Sequence, residues 1–326
     1  MQELLVLRAL GLGDLLVAVP ALRAVRKRYP THRVVLAGPA ALEPLVRATG
    51  AVDETLPTSA PDALGWGDRP PPDVVVNLHG VGPQSHRALD ATRPRQRIGV
   101  RAPGWAGPDW ADIARAHRHE RERWCAVVEA FGVCADPTDY ALDGREPGGV
   151  GGLVGAVVVH PGAGYGAKRW PADRFALVAA RLERAGRRVV VTGSGPEAPL
   201  AREVARRAGL PADRVLAGRT DIAGLMDVVA GASLVVCGDT GIAHLATALG
   251  TPSVVLFGPE PPDRWGPPEG GPHVVLTAAD RRRGDPFADD PDPALLGVDV
   301  DEVTHVANAL LAHPPRPRGE SYKSTR

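Results

Sequence analysis

The clearest chemical signal in the chain is Gly238-Asp239-Thr240-Gly241, which lies between an apolar run and an Ala-rich run. An apolar strand that turns directly into a helix aims the first backbone N–H groups of that helix at one point, where they attract an anion. The Thr240 hydroxyl can join them, and His244 on the first helical turn can donate to a phosphate oxygen. The sequence therefore predicts a phosphate site here, although Asp239 could instead be a plain helix cap and His244 a core residue.

Two further glycine-rich loops of the same half could contribute to that site. In residues 160–171, small residues let a ligand approach the backbone closely, and Lys168 supplies a point charge for phosphate. Residues 193–197 end in Glu197, which can accept hydrogen bonds from a ribose or sugar diol. The competing interpretations are a flexible loop with solvated cations for the first, and a first-turn glutamate that favours the helix dipole for the second.

A fourth loop, Gly11-Leu12-Gly13-Asp14, lies near the N-terminus. It resembles the start of a dinucleotide fingerprint, but Leu16 replaces the third glycine, and an aspartate at the mouth of the helix would repel a pyrophosphate. Asp14 could cap the helix. It could equally be a general base for a hydroxyl nucleophile, because the positive end of the helix favours the ionised carboxylate.

These loops need a scaffold that brings the ends of several strands together. Strands are predicted at residues 4–8, 33–37, 73–78 and 97–99 in the first half, and at 156–160, 188–192, 214–216, 234–237, 253–257 and 273–276 in the second. Helical patterns separate most of them. This alternation predicts an α/β protein with two Rossmann-like, doubly wound parallel-sheet domains facing each other across a cleft, with ligands at the carboxyl ends of the strands.

The domain boundaries follow from a glycine-rich stretch at residues 143–156, which is the predicted linker. We predict an N-terminal domain at residues 1–150, a C-terminal domain at 151–313, and a disordered tail at 314–326.

Composition argues against several classes of protein. The 326 residues carry 38 basic and 38 acidic side chains, with a sequence pI of about 7.2, which disfavours a nucleic-acid binder. The three cysteines match no zinc or disulfide spacing and indicate a cytoplasmic location. Arg8, Asp14 and Arg23 interrupt the apolar N-terminal run, and no basic leader precedes it, so neither a transmembrane segment nor a signal peptide is predicted.

Asp290-Pro291-Asp292 has the D-x-D spacing that some sugar transferases use for a metal. Because no predicted strand precedes it, a solvated acidic loop is the favoured interpretation, and no metal site is predicted.

Taken together, these motifs resemble glycosyltransferase family 9, the heptosyltransferase-like enzymes with the GT-B fold. The resemblance is carried by Gly13-Asp14 followed by Pro20-Ala21-Leu22, by His160-Pro161-Gly162-Ala163 with Lys168-Arg169-Trp170-Pro171, and by residues 238–244 leading to Gly250-Thr251-Pro252.

The resemblance implies an inverting, metal-independent transferase that needs no cofactor. The first domain would bind the acceptor and the second a nucleoside-diphosphate sugar such as ADP-heptose. The implied base is Asp14; the implied donor contacts are Lys168, Glu197, Asp239, Thr240, Gly241 and His244; and the acceptor-side candidates are Gly13, His79, Gln84 and Arg87. The acceptor would be a hydroxyl of a glycan, a glycolipid or a small molecule, with peripheral membrane contact only if it is a lipid.

Three other functions stay open at this point. A GT-B-like nucleotide-sugar epimerase would share the donor site, and so would a non-catalytic nucleotide-sugar-binding protein. An NAD(P)-dependent oxidoreductase is disfavoured, because the fingerprint at Gly11 and Gly13 is broken and no acidic residue ends the second strand.

Overall fold

The computed structural model describes residues 2–142 and 153–313, so most of the predicted linker and the whole predicted tail lie outside the described residues. The described chain divides into two compact units. Unit 1 contains residues 2–142 with two short segments from later in the sequence, Asp221–Met226 and Asp263–Gly266, and unit 2 contains the remainder.

Unit 1 is built on a parallel sheet whose central strand is fully apolar. Its elements are β1 (Glu3–Leu7), α1 (Leu12–Arg28), β2 (Arg33–Gly38), α2 (Glu43–Ala48), β3 (Glu54–Pro57), β4 (Val74–Asn77), α3 (Pro83–Asp90), β5 (Gln96–Ile98), α4 (Trp110–Ala116) and α5 (Glu120–Glu129). The strand order is β3-β2-β1-β4-β5, and all neighbours are parallel. Residues 4–7 of β1 are 0% exposed, as expected for a strand covered on both faces.

The second half of the chain carries a second parallel sheet. Its elements are β6 (Val157–His160), α6 (Ala172–Arg184), β7 (Val189–Val191), α7 (Ala198–Arg207), α8 (Ile222–Gly231), β8 (Leu234–Gly238), α9 (Gly241–Leu249), β9 (Ser253–Leu256), α10 (Pro262–Trp265), β10 (His273–Leu276), α11 (Pro293–Leu296) and α12 (Val300–Ala312). The strand order is β10-β9-β8-β6-β7, again parallel throughout. The core of unit 2 is formed by valines of these strands packed against Phe175, Leu182 and Val303 from the helices.

The strand order locates one switch point in each sheet, where chain connections diverge to opposite sides. In unit 1 it lies between β1 and β4, and in unit 2 between β6 and β8. Ligands of open parallel sheets bind outside the carboxyl ends of the strands at such points. The loops after these four strands are therefore the places to look for a site.

One predicted strand was wrong, and among the missed elements are β3 and α4 of unit 1. The strand predicted at residues 214–216 is only an isolated bridge between Val215 and Val191, because a 3-10 turn, Ala212–Arg214, occupies its start. The edge strand β3 was missed because its sequence, Glu-Thr-Leu-Pro, is half polar, and α4 was missed because it is short.

Helix α1 begins at Leu12, within the loop predicted at residues 11–14, so the capping interpretation of Asp14 was wrong. Asp14 is the third helical residue, and the N-cap position belongs to Gly11. Within the described part of the chain, no helix is long and apolar enough to cross a membrane.

Candidate functional site

At the switch point of unit 2, Lys168 and Asp239 form an ion pair. Lys168 ends a 3-10 turn, Gly166–Lys168, after β6, and Asp239 directly follows β8. The Lys168 Nζ donates to Asp239 Oδ2 at 2.7 Å, and the two side chains are 21% and 6% exposed. An ammonium group has three N–H donors and the carboxylate takes one, so Lys168 can still donate to a phosphate oxygen.

Next to this pair, Thr240 lies at the N-terminus of α9. Thr240 is the N-cap residue, yet its side chain makes no capping hydrogen bond within the described chain. Its Oγ1 is buried and has no hydrogen-bond partner among the described residues. A buried hydroxyl of this kind is uncommon and calls for an acceptor supplied from outside the chain.

The remaining predicted residues of this loop lie on the first turn of α9. Gly241 opens the helix, so its backbone N–H has no intrahelical acceptor. His244 is half-buried on the same turn and already takes part in an interaction within the protein. The structure thus brings Lys168, Asp239, Thr240 and Gly241 together, with His244 on the first turn of α9.

Glu197 lies at the third loop of unit 2 and is held by its own loop. It accepts hydrogen bonds from the Ser194 backbone N–H at 2.7 Å and from the Ser194 hydroxyl at 2.8 Å. Burial opposes ionisation of this carboxyl, but those hydrogen bonds, the electrostatic interaction with the His160 ring and the charge of Arg169 hold its pKa below the ordinary value. A Cβ on Gly162 would lie 2.1 Å from Glu197 Oε1, so this glycine is required for the carboxylate to pack against the β6 loop.

His160, at the end of β6, is a structural residue beside that carboxylate. Its ring Nδ1 lies 3.0 Å from the Thr192 hydroxyl. Burial lowers the pKa of His160, and the nearby Glu197 opposes the shift. The side chain therefore stays neutral at neutral pH and ties the β6 and β7 loops together.

At the switch point of unit 1, Asp14 lies beside a buried arginine that sequence analysis did not assign to the site. Arg8 follows β1, and its Nε and Nη2 donate to the Asp14 backbone carbonyl at 2.9 and 2.5 Å. Its Nη2 lies 3.9 Å from Asp14 Oδ1, and its Nη1 donates to the Leu78 carbonyl. The guanidinium carbon stacks 4.7 Å from the centre of a Trp124 ring.

Arg8 is charged although its side chain is only 1% exposed. Burial lowers its pKa to about 10, while the carboxylates of Asp14 and Glu120 work in the opposite direction. The Asp14 side chain is 39% exposed and can be reached from solvent. The sequence offered one signal for Arg8, its position at the end of an apolar strand. A guanidinium buried there needs several hydrogen-bond acceptors around it.

His79 completes this cluster from the loop after β4. Its Nδ1 accepts a hydrogen bond from the Ala9 backbone N–H at 3.2 Å, which places the ring proton on Nε2. Burial and then the charge of Arg8 lower the pKa of His79, and Asp14 partly opposes them. The neutral ring can therefore donate through Nε2.

The other acceptor-side candidates are less closely placed. Gly13 is the second residue of α1, next to Asp14. Gln84 and Arg87 are exposed on α3, and no hydrogen bond within the described residues joins either of them to Asp14 or His79.

The D-x-D segment differs from the solvated loop that was predicted. Asp290 is exposed, but Asp292 is 0% exposed. Both oxygens of Asp292 accept backbone hydrogen bonds, from Arg283, Gly284 and Ala294. Across residues 2–142 and 153–313, no three His, Cys, Asp or Glu side chains converge as metal ligands would.

The family model and the curated relatives that match this chain are all described as heptosyltransferases. A family model described as glycosyltransferase family 9 (heptosyltransferase) matches residues 122–282, just under half of the chain. The chain is 26% identical over 305 residues to lipopolysaccharide heptosyltransferase 2 of Salmonella typhimurium, covering 80% of this chain and 84% of that protein. It is 36% identical over 114 residues to lipooligosaccharide heptosyltransferase 2 of Haemophilus influenzae, covering 33% of this chain and only 32% of that protein.

A solved structure, that of Escherichia coli ADP-heptose lipopolysaccharide heptosyltransferase II, superposes with a TM-score of 0.71 at 21% identity, covering 95% of this chain and 99% of that one. At this identity the likeness establishes the fold. The predicted α/β architecture with two parallel-sheet domains, as in GT-B proteins, is confirmed.

Proposed function

Since the chain is a heptosyltransferase-like protein of glycosyltransferase family 9, we propose that it moves a sugar from a nucleoside-diphosphate sugar to an acceptor hydroxyl. The sugar is a heptose or a related hexose. ADP-heptose is the first donor to test, because the Escherichia coli structure is that of an ADP-heptose heptosyltransferase. The acceptor is a glycan, a glycolipid or a small molecule.

One observation carries the donor half of this proposal. The buried Thr240 hydroxyl lacks a partner among the described residues, and it lies at the N-cap of α9 directly after Asp239, the partner of Lys168. A hydroxyl donor, an ammonium and a helix N-terminus are the groups that bind a phosphate. Their place at the switch point of unit 2 supports a diphosphate as the ligand.

The proposed reaction divides its work between the two halves of the chain. Asp14 accepts the hydroxyl proton while the hydroxyl oxygen attacks the anomeric carbon, and the bond from that carbon to the diphosphate oxygen breaks with inversion. The electron pair leaves with the diphosphate, whose added charge Lys168, Thr240, His244 and the α9 N–H groups stabilise. Removing one such placed donor typically slows an enzyme by about 10²–10³.

Arg8 and His79 have supporting roles in the acceptor half. Arg8 links the backbone of Asp14 to the loop that follows β4, which carries His79. The Nε2 proton of neutral His79 is available to an acceptor oxygen. Glu197, already bound to Ser194, is proposed to reach the donor sugar or ribose only through its remaining lone pairs.

We further propose that transfer needs neither a metal nor another cofactor, because the cationic groups around Thr240 supply the positive charge. The proposed compartment is the cytoplasm, where three cysteines that form no disulfide, Cys125, Cys134 and Cys237, would stay reduced.

The test is a thermal-shift screen against a panel of nucleotide sugars and nucleoside diphosphates in EDTA. We expect at least one diphosphate to raise Tm, and its sugar derivative to be turned over when an acceptor is present. Asp14→Asn should abolish turnover and leave donor affinity within about twofold, since the amide keeps the shape but accepts no proton. Isomerised sugar without any acceptor, or near-normal transfer by Asp14→Asn, would contradict the proposal.

A further inference from the structure

The loop that joins β10 to α11 packs directly on the loop that carries Lys168. The Ala167 backbone N–H donates to the Ala288 carbonyl at 2.8 Å, and the Asp292 N–H donates to the Ala167 carbonyl at 3.1 Å. Both backbone groups of the residue before Lys168 are therefore occupied by this one loop, residues 282–292, which we call the brace loop.

The two loops approach so closely that only glycine fits at the contact. A Cβ placed on Gly166 would lie 1.6 Å from the Asp289 carbonyl oxygen. A Cβ on Gly238, at the end of β8, would lie 3.0 Å from the Lys168 carbonyl oxygen. The backbone of residues 166–168 is thus enclosed between the brace loop on one side and the end of β8 on the other.

A single buried carboxylate holds the brace loop in this shape. Asp292 Oδ2 accepts from the N–H groups of Arg283 and Gly284, each at 3.2 Å, and Oδ1 accepts from Ala294 at 2.9 Å. The side chain is 0% exposed. Charge-assisted hydrogen bonds in a buried setting are strong, and removing their acceptor leaves three backbone N–H groups to be satisfied elsewhere.

We propose that Asp292 is a positioning residue for the diphosphate site: its carboxylate orders the brace loop, and that loop fixes the backbone from which Lys168 reaches Asp239. The identity of the ligand, a nucleoside diphosphate, rests on the proposed function. The ordering of the Lys168 loop by Asp292 does not depend on it. Asp292 touches no substrate in this account, and its effect passes through Ala167.

The D-x-D spacing offers a competing role, in which Asp290 and Asp292 would jointly bind a metal. The geometry disfavours it, because the oxygens of Asp292 are turned inward onto backbone N–H groups while Asp290 is exposed. The two roles make different predictions for the two aspartates. A metal pair needs both, whereas the brace needs Asp292 alone.

The experiment compares Asp292→Ser and Asp292→Asn with the matched controls Asp290→Ser and Asp290→Asn in the full chain. Hydrogen exchange is followed without ligand in peptides spanning residues 163–170 and, as an internal reference, 157–160. ADP affinity is measured by calorimetry in EDTA and again with Mg²⁺. Asp292→Asn keeps one acceptor oxygen, so it remains informative if the serine variant fails to fold.

We expect Asp292→Ser to speed exchange in residues 163–170 while leaving the reference peptide unchanged, and to weaken ADP binding about tenfold. Asp292→Asn should fall between it and the wild type, and both Asp290 variants should stay within about twofold of the wild type. For the donor sugar, KM should rise more than kcat falls.

Unchanged exchange in both Asp292 variants would overturn the proposal, as would altered exchange with unchanged ADP affinity. If Mg²⁺ tightened ADP binding by the wild-type protein, and variants at positions 290 and 292 lost that gain equally, the metal pair would replace the proposal. If the wild-type protein bound no nucleoside diphosphate, the proposed function would fail. The exchange result would then still decide whether Asp292 orders the Lys168 loop.

Discussion

Replacing Thr240 with valine should move stability and ligand affinity in opposite directions. The Thr240 hydroxyl is buried, makes no capping bond and has no partner among the described residues. Its backbone is extended, with φ −146° and ψ 175°, which a β-branched side chain adopts readily. Thr240→Val therefore removes an unsatisfied polar atom without removing a native contact.

The magnitudes follow from the state of that hydroxyl. An unsatisfied buried polar group costs about 1–3 kcal/mol, so we expect Thr240→Val to raise the free energy of unfolding by about 1 kcal/mol. For a unit of this size that is about 2–4 °C in Tm. A hydrogen bond to a charged group contributes about 1.5–3 kcal/mol, so ADP should bind about 10- to 150-fold more weakly.

Thr251→Val is the matched control. The Thr251 hydroxyl is also buried, but it donates to the Val229 carbonyl at 2.8 Å. Its loss should destabilise the protein by about 1 kcal/mol and leave ADP affinity unchanged. Denaturant unfolding of the ligand-free proteins and calorimetry with ADP measure both quantities. If Thr240→Val destabilised the protein as much as Thr251→Val and bound ADP like the wild type, the anion-site reasoning would be refuted.

Three further predictions concern ionisable groups of the two sites. Lys168→Met should destabilise the protein by about 2–4 kcal/mol because it leaves the Asp239 carboxylate buried without a cation, and adding Asp239→Asn should restore at least half of that loss in a denaturation cycle. Arg8→Met should lower kcat at least tenfold with a smaller change in donor affinity, because Arg8 binds the backbone of the proposed base rather than the donor; loss of donor binding alone would contradict this role. The pKa of His79 lies below the ordinary 6.5 in the folded chain. As the pH is lowered through 6.5, the unfolded chain therefore takes up this proton before the folded chain does, and the free energy of unfolding should fall. This fall should be less steep in His79→Gln. An equally steep fall in the wild type and in His79→Gln would contradict the lowered pKa of His79.

The sequence was sufficient to predict the fold and the strand-end positions of the glycine-rich loops in unit 2, because both depend on local signals. Apolar runs of valine and leucine that alternate with helical patterns specify buried parallel strands, and the loops after them must meet at one edge of the sheet. Residues 238–241 lie between an apolar run and an Ala-rich run, which predicts a strand-to-helix turn. The missed strand β3 lacks such a signal, since it is a half-polar edge.

What the sequence could not reveal depends on contacts between distant residues. In the sequence, Arg8 only interrupts an apolar run. In the structure, the carbonyl of Leu78, 70 positions away, accepts one of its hydrogen bonds. In the sequence, Asp292 belongs to an acidic loop that is expected to be exposed. In the structure, the backbone N–H groups of residues 283 and 284 donate to its carboxylate. The partner of Lys168 lies 71 positions along the chain, on another strand end. Spacing alone assigns none of these pairs.

The most direct test of the central claim, that the turn at Gly238–Gly241 with Lys168 binds a diphosphate, is a calorimetric comparison of ADP with AMP in EDTA. The second phosphate should engage Lys168 and the Thr240 hydroxyl, so we predict that ADP binds at least about tenfold more tightly than AMP. That difference should largely disappear in Thr240→Val. Equal affinities for ADP and AMP in the wild-type protein, or a difference that survives Thr240→Val unchanged, would contradict the account.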